Sequence, residues 1–512
     1  MRFRSSALAW AFAVSLAAGA APFAAAQDAA PRAAPPGAIE EVAKAGTLTA
    51  YGRAIAYTAT AGTLPVVNDA GVPQANVFYV AYDRDGGPRA ARPITFVFNG
   101  GPGAASAYLH LGALGPRRIV FGDDGTIPPS PPRLIDNAET WLDFTDLVFV
   151  DPVGTGFSVA PKREEKEGEG ARFWGVNEDI DAIAAFIRLY LTRKDRWGSP
   201  KFLAGESYGG FRVARLASHL PTHTGIELNG VIMISPVLEF SLHDGDDYRA
   251  EPWVLRIPSY AATARHLNVV RFGNDAPLAT ALREVEAFSV GALLPGMARG
   301  DTMPPAEQEA LLARLAGYIG LPPDYVQRSG GRIQRTDFAG RLLRDSRRIV
   351  SLYDGAIVSI DPDPGDRGGG GDGYLSAITA AFAAAAHRHL RDELGVKTDV
   401  PYRVLAGDVN QGWNWRSGRG GRQGYVGSAG SLKLALSRNL RLKAMIAHGY
   451  FDLVTPYFAS HYVVAQMSLD PAARRNVQLA DYPGGHMFYT HAASRVDFTR
   501  DVRALYAAAT AE

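Results

Sequence analysis

Apolar residues along this chain fall into short unbroken runs separated by stretches of helical periodicity. The runs are Ile94–Phe98, Leu147–Val150, Phe202–Ala204 and Val231–Ile234, followed after a long gap by Ala444–Ala447 and Val477–Ala480. Runs without polar alternation suit strands covered on both faces of a sheet. Between the second and third runs, Ile180, Ile183, Ala184, Ile187 and Leu191 form one apolar stripe at helical spacing. Asn177 is placed to cap that helix, and Glu178 and Asp179 suit its positive end. The alternation of strand and helix predicts an α/β fold with a mostly parallel central sheet flanked by helices. Upstream, residues 47–60 and 76–83 alternate polar and apolar. They predict an antiparallel pair with Asn68, Asp69, Ala70 and Gly71 as the turn.

The gap between Ile234 and Ala444 carries two further helical patterns, Pro305–Leu321 and Ala377–Leu394, on either side of the turn-rich tract Asp361–Gly373. It reads as a mostly helical cap inserted into the sheet domain. The expected segments are 39–240 (core, first part), 241–440 (cap insertion) and 441–512 (core, second part). Residues 27–38 are rich in Ala and Pro and are expected to form a flexible N-terminus. Ahead of them, Arg2 and Arg4, the apolar stretch Ala7–Ala20 and the small residues Ala24, Ala25 and Ala26 read as a secretory signal peptide over 1–26. That stretch is shorter than the about 20 apolar residues a membrane span needs. The mature protein is expected to be exported, periplasmic or secreted, with no membrane contact after cleavage.

Composition narrows the chemistry. The 512 residues include no cysteine, which excludes a disulfide framework, Cys-ligated metal sites and a thiol nucleophile. An exported chain without cysteine fits a bacterial periplasm, where disulfides are permitted but not required. Lys and Arg number 53 against 52 Asp and Glu, which argues against a nucleic-acid-binding face spread over the protein. No nucleic-acid partner is expected, and the oligomeric state is left open.

The run Phe202–Ala204 leads into Gly205-Glu206-Ser207-Tyr208-Gly209, a G-x-S-x-G sequence, with a helical pattern over Phe211–His219 after it. Strand, Ser-containing turn and helix in that order define a nucleophile elbow, which lifts Ser207 Oγ above the sheet edge. Small residues are needed at Gly205 and Gly209 because backbone segments approach closely there. A serine hydroxyl needs a general base, and the base an orienting acid. Downstream, the run Met445–Ala447 leads into a turn ending at Asp452, and Leu479–Ala480 leads into a Gly-rich loop ending at His486. The chain order Ser207, Asp452, His486 is that of an α/β-hydrolase triad. An oxyanion needs preorganised donors. The amides of Tyr208 and of Gly101, in the loop Asn99-Gly100-Gly101-Pro102-Gly103, are the candidates. That loop lacks the Lys-Ser/Thr of a phosphate-binding loop, and Pro102 removes a donor.

Four segments together resemble the serine carboxypeptidase family of the α/β-hydrolase fold. They are FNGGPGAAS (Phe98–Ser106) with Leu114-Gly115-Pro116, VDPVGTGFS (Val150–Ser158), GESYGG (Gly205–Gly210), and GYFDLVTP with GGHMFY around Asp452 and His486. The resemblance implies a serine-type carboxypeptidase that removes the C-terminal residue of a peptide through an acyl-enzyme. On the same triad it leaves open an esterase, or an acyltransferase like some plant relatives. It implies that Asn99, Gly100 and Glu206 bind the substrate's terminal carboxylate. A carboxyl recognises a carboxylate only when a proton is shared, because two close anions repel. The chain departs from the family at Ala113, where a second Glu usually precedes Leu-Gly-Pro, and at Ala104, where Cys usually follows NGGPG. Without that Glu, Glu206 is expected to titrate less abnormally and carboxylate binding to be weaker or shifted in pH.

Nothing else in the pattern calls for a cofactor or metal. His486 with His491 and His219 with His223 lack an accompanying carboxylate or HExxH spacing. Asp361–Gly373 lacks the ordered ligands of a calcium loop. Trp413 and Trp415 read as packed aromatics, and Lys162–Glu169 as a solvated loop.

Overall fold

The computed structural model describes residues 37–67, 71–160, 169–243, 245, 247–273, 275–362, 364, 372–417 and 426–511. The signal peptide, nearly all of 27–38, the turn residues Asn68–Ala70, most of Asp361–Gly373 and nearly all of Lys162–Glu169 lie outside the described residues.

One sheet organises the molecule. Its strands are β1 (Val42–Ala50), β2 (Arg53–Val67), β3 (Pro73–Arg84), β4 (Ile94–Phe98), β5 (Asp146–Val150), β6 (Lys201–Glu206), β7 (Gly230–Ile234), β8 (Lys443–Gly449) and β9 (Val477–Tyr482). The spatial order is β1-β2-β3-β5-β4-β6-β7-β8-β9. Strands β4 to β9 pair in parallel, and β1, β2 and β3 form an antiparallel meander joined to β5. All six apolar runs lie within strands, and the expected mostly parallel sheet flanked by helices is present. The reason is visible in β6: Phe202 and Ala204 enter the core on one face, and Leu203 enters the core on the other. A strand covered on both faces has no position left for a polar residue.

The N-terminal region differs from expectation. Residues 47–60 are not one strand but the end of β1, a two-residue turn at Tyr51-Gly52 and the start of β2, with Ala50 opposite Arg53. The buried positions shift from even numbers (Leu48, Ala50) to odd ones (Ile55, Tyr57) across the turn. That change of parity marks a hairpin, since paired residues share a face.

Helices α1 (Val176–Arg193) and α2 (Tyr208–Thr224) cover one face of the sheet, and α1 buries its predicted stripe. Its cap is Gly175 rather than Asn177. Asn177 lies inside the first turn and accepts a hydrogen bond from Arg215 at 3.1 Å, while the Val176 amide donates to Asn414 O at 3.1 Å. A backbone carbonyl from a distant loop thus does the work expected of a local side chain.

Between β7 and β8 the chain divides by packing. Helices α3 (Ile257–His266), α4 (Leu278–Phe288) and α5 (Pro305–Ile319) share an apolar cluster with Phe451, Leu453 and Tyr457, which follow β8. The short helix α6 (Arg335–Arg341) adds Phe338, stacked on Tyr260 at 4.1 Å. Helix α7 (Gly373–His387) instead joins the core on the other sheet face, against Tyr108 and Leu111, where α8 (Ala492–Thr510) also packs. No helix among the described residues is long and apolar enough to cross a membrane.

Candidate active site

Ser207 sits between β6 and α2 with φ 59° and ψ −124°. A non-glycine residue is held there only when its surroundings demand it. They do. The Ser207 amide donates to Ile234 O on β7 at 2.9 Å, and Ser207 O accepts from the Gly210 amide at 2.9 Å. A Cβ at Gly205 would lie 2.2 Å from Gly209 O, and one at Gly209 would lie 2.5 Å from Phe98 O. Both glycines are therefore fixed by close backbone approach, as the motif implied.

The loop after β4 lies directly on this elbow. A Cβ at Gly100 would meet the Tyr208 nitrogen at 2.5 Å. The Gly101 and Tyr208 amides are engaged in no other hydrogen bond among the described residues, and both residues line the cavity that holds Ser207. Asn99, Gly100, Glu206 and His486 line the same cavity of about 230 Å³. Asp452 stands behind His486 and is fully buried.

The acid–base pair is formed. His486 Nδ1 lies 2.7 Å from Asp452 Oδ2. The other oxygen, Asp452 Oδ1, accepts from the amides of Val454 and Thr455, each at 2.8 Å. Thr455 Oγ1 lies 2.6 Å from Asp452 Oδ2, 3.0 Å from His486 Nδ1 and 3.0 Å from Ser235 O. The His486 backbone is held at both ends: its amide donates to Tyr353 O at 2.6 Å, and its carbonyl accepts from Ser235 Oγ at 2.8 Å. Burial by itself disfavours charge on both partners. The His486 charge and these donors nevertheless hold Asp452 below its ordinary value. Asp452, with a smaller contribution from Glu206, raises His486 above its own. The pair is an ionised carboxylate orienting an imidazole whose basicity it increases. Ser207 Oγ has no hydrogen-bond partner among the described residues, a geometry that commonly tightens only when substrate is bound.

Glu206 and Asn99 are also brought together. Asn99 Nδ2 donates to Glu206 Oε1 at 3.1 Å, and Asn99 Oδ1 accepts from the Leu109 amide at 3.0 Å. Arg212, on the first turns of α2 and paired with Asp179, holds Asn99 O at 2.9 Å. Burial pushes the Glu206 carboxyl up to about 7; the nearby Asp452 adds to this, while His486, Tyr489 and Asn99 oppose it. Glu206 thus departs from its ordinary value without a second Glu beside it. Ala113 is buried and supplies no charge, and desolvation is the largest cause of the rise. The second partner of Glu206 is Tyr489, whose hydroxyl donates to Oε2 at 2.5 Å.

Tyr489 and Thr455 are the residues sequence reasoning missed. Both sit within three positions of a recognised residue, so proximity to Asp452 and His486 was the available signal. The remaining aromatics take the packing role expected of them. Trp413 and Trp415 stand edge-on to Tyr208 at 5.3 and 5.8 Å. His219 and His223 stack at 4.0 Å on the surface of α2. Among the described residues no group of three His, Asp or Glu side chains is arranged to hold a metal ion.

Comparison with known proteins agrees with this geometry. Residues 57–249 match the family model described as "Serine carboxypeptidase". "Serine carboxypeptidase-like 45" of Arabidopsis thaliana is 30% identical over 176 residues, 33% of this chain and 34% of that protein. "Pheromone-processing carboxypeptidase KEX1" of Yarrowia lipolytica is 33% identical over 145 residues, 28% of this chain and 21% of that protein. The match thus spans about a third or less of these two relatives' length. The crystal structure of a prohormone-processing carboxypeptidase, KEX1(delta)p of Saccharomyces cerevisiae, superposes with a TM-score of 0.53 at 16% identity, covering 87% of this chain and 91% of that one. The likeness to serine carboxypeptidases in sequence is thus confined to part of the chain, and the fold is the one seen in the KEX1(delta)p structure. Ser207, Glu206, Asn99 and the amides of Gly101 and Tyr208 fall inside the matched segment. Asp452 and His486 fall outside it.

Proposed function

We propose that the chain is a serine-type carboxypeptidase acting on peptides, exported after removal of residues 1–26, with segment 241–440 acting as a cap over the site. The observation that carries the reading is the buried Glu206, held between Asn99 and Tyr489 beside the elbow serine, with its carboxyl pushed up to about 7 by burial. An esterase has no need of a protonated carboxyl there; a terminal carboxylate does.

In this reading Ser207 Oγ attacks the carbonyl carbon of the last peptide bond, and His486 Nε2 takes the hydroxyl proton. Asp452 keeps the imidazole in the tautomer that accepts at Nε2 and stabilises the imidazolium. The oxyanion is received by the amides of Gly101 and Tyr208. His486 then gives its proton to the departing amine as the C–N bond breaks. Water repeats the sequence on the acyl-enzyme and regenerates Ser207. Asn99, the backbone at Gly100 and Glu206 hold the substrate's terminal carboxylate, which fixes the last peptide bond over the serine.

Mass spectrometry of N-blocked peptides tests this. Wild type is expected to remove residues stepwise from free C-termini and to leave C-terminal amides almost untouched. Ser207→Ala is expected to cleave neither. Cleavage of esters alone would replace the reading with the esterase or acyltransferase alternative.

A further inference from the structure

The Ser207 cavity has a second end, where His243, Arg335 and Val454 line it. A smaller recess opens beside it and shares His243, Arg335 and Val454. Arg335 begins α6 and is half-buried. Its guanidinium makes no hydrogen bond or ion pair among the described residues. The neighbouring Arg256 shows the contrast: it donates to Pro252 O at 2.8 Å and to His243 O at 3.0 Å, and lies 5.0 Å over Trp253. His243 is not a competing cation, because burial first, then Arg256, pushes it down to about 3. Among the described residues lining the cavity, Glu206 is the one acidic side chain, and it is engaged by Asn99 and Tyr489.

An arginine left without a partner in a partly dry cavity has a planar array of donors matched to a carboxylate. If the substrate's terminal carboxylate goes to Asn99 and Glu206, as proposed above, a second carboxylate remains to be supplied by a side chain. We propose that Arg335 is a specificity-determining residue that selects peptides with an acidic side chain flanking the scissile bond. The apolar Val454, which lines both cavities with Arg335, suits the methylene stem of such a side chain. The inference rests on the proposed peptidase reading.

The test uses N-blocked dipeptides in which Glu, Gln or Lys occupies the last or the penultimate position, the other residue being constant. For one of the two positions, wild type is expected to prefer Glu over Gln in kcat/KM by about ten- to a hundredfold, the scale of a charge-assisted hydrogen bond. Arg335→Met is expected to bring that ratio to about one, and Arg335→Glu to invert it in favour of Lys. Because the readout is a ratio, a general loss of activity cancels. A wild-type ratio near one in both series overturns the proposal. So does a ratio unchanged by Arg335→Met, which includes the case in which Arg335 takes the terminal carboxylate and serves Glu and Gln peptides alike. Failure of the peptidase reading looks different: no neutral peptide is cleaved while Ser207 still reacts with a phosphonate. The same Glu to Gln ratio is then read on methyl esters of the same blocked residues, with the same outcomes deciding it.

Discussion

The two ends of the cavity are built differently. At the Ser207 end, Asn99, Glu206, Asp452 and His486 are buried and hydrogen-bonded, and each is anchored at the end of a sheet strand or in the loop that follows it. At the other end, Arg335 comes from a short helix between β7 and β8 and is bonded to nothing described. The first end is over-determined by backbone contacts, such as the Ser207 amide on Ile234 O and the His486 amide on Tyr353 O. The second presents a side chain whose replacement disturbs no hydrogen bond. Chemistry that tolerates little displacement is placed where the backbone enforces it, and selectivity where a side chain is free to vary.

The contrast is tested most severely at Asp452. Asp452→Asn keeps the shape but leaves His486 in the wrong tautomer, and kcat on a blocked peptide is expected to fall by about 10⁴-fold. A loss under tenfold would mean that the Asp452–His486 pair is structural. Next in size is the pH dependence. Burial pushes the Glu206 carboxyl up to about 7, so on the proposed reading it accepts the substrate's carboxylate below that pH, and above it the two anions repel. The ratio of kcat/KM for a free-acid peptide to that for the methyl ester of the same peptide should therefore fall about tenfold per unit above pH 7. The ester cancels the His486 titration, which both substrates share. Glu206→Gln should flatten this ratio across the range; a ratio that still falls would remove Glu206 from carboxylate recognition.

Smaller effects sharpen the anchored end. Thr455→Val removes a hydroxyl on Asp452 Oδ2 without changing volume much, and a loss of about tenfold in kcat/KM is expected, from about 1.5 kcal/mol for a hydrogen bond to a charged group. Tyr489→Phe removes a donor that favours the ionised Glu206. The alkaline fall in the acid-to-ester ratio should then move up by about one pH unit, the least such a bond is worth. A downward move would mean that Tyr489 supports the neutral carboxyl instead.

Much of the anchored end was legible in the sequence because its signals are local. Strands β4 to β8 announced themselves as largely apolar runs because both their faces are covered, and β9 did so at the sheet edge despite the exposed Gln478. The elbow was legible because its glycines are demanded by close backbone approach within a few residues. Asp452 and His486 followed from their places after strands in hydrolase order. The hairpin inside 47–60 was legible too, as a change of parity at Tyr51-Gly52, and was read instead as continuous alternation.

What the tertiary structure decided is of another kind. The sequence named Glu206, but its raised titration comes from burial, and the Tyr489 hydroxyl that opposes the rise is a partner remote in the chain. The cap of α1 comes from a glycine and the distant Asn414 carbonyl, so no local residue signalled it. Arg335 carries no motif at all; the proposal for it arises only because the chain between β7 and β8 delivers it to the cavity without a partner among the described residues. By itself the sequence determined the parallel strands, the elbow and the chain order of Ser207, Asp452 and His486, because periodicity and backbone sterics act over a few residues. Which groups are desolvated, which are paired and which are left free depends on contacts between segments far apart in the chain, and those exist only once it is folded.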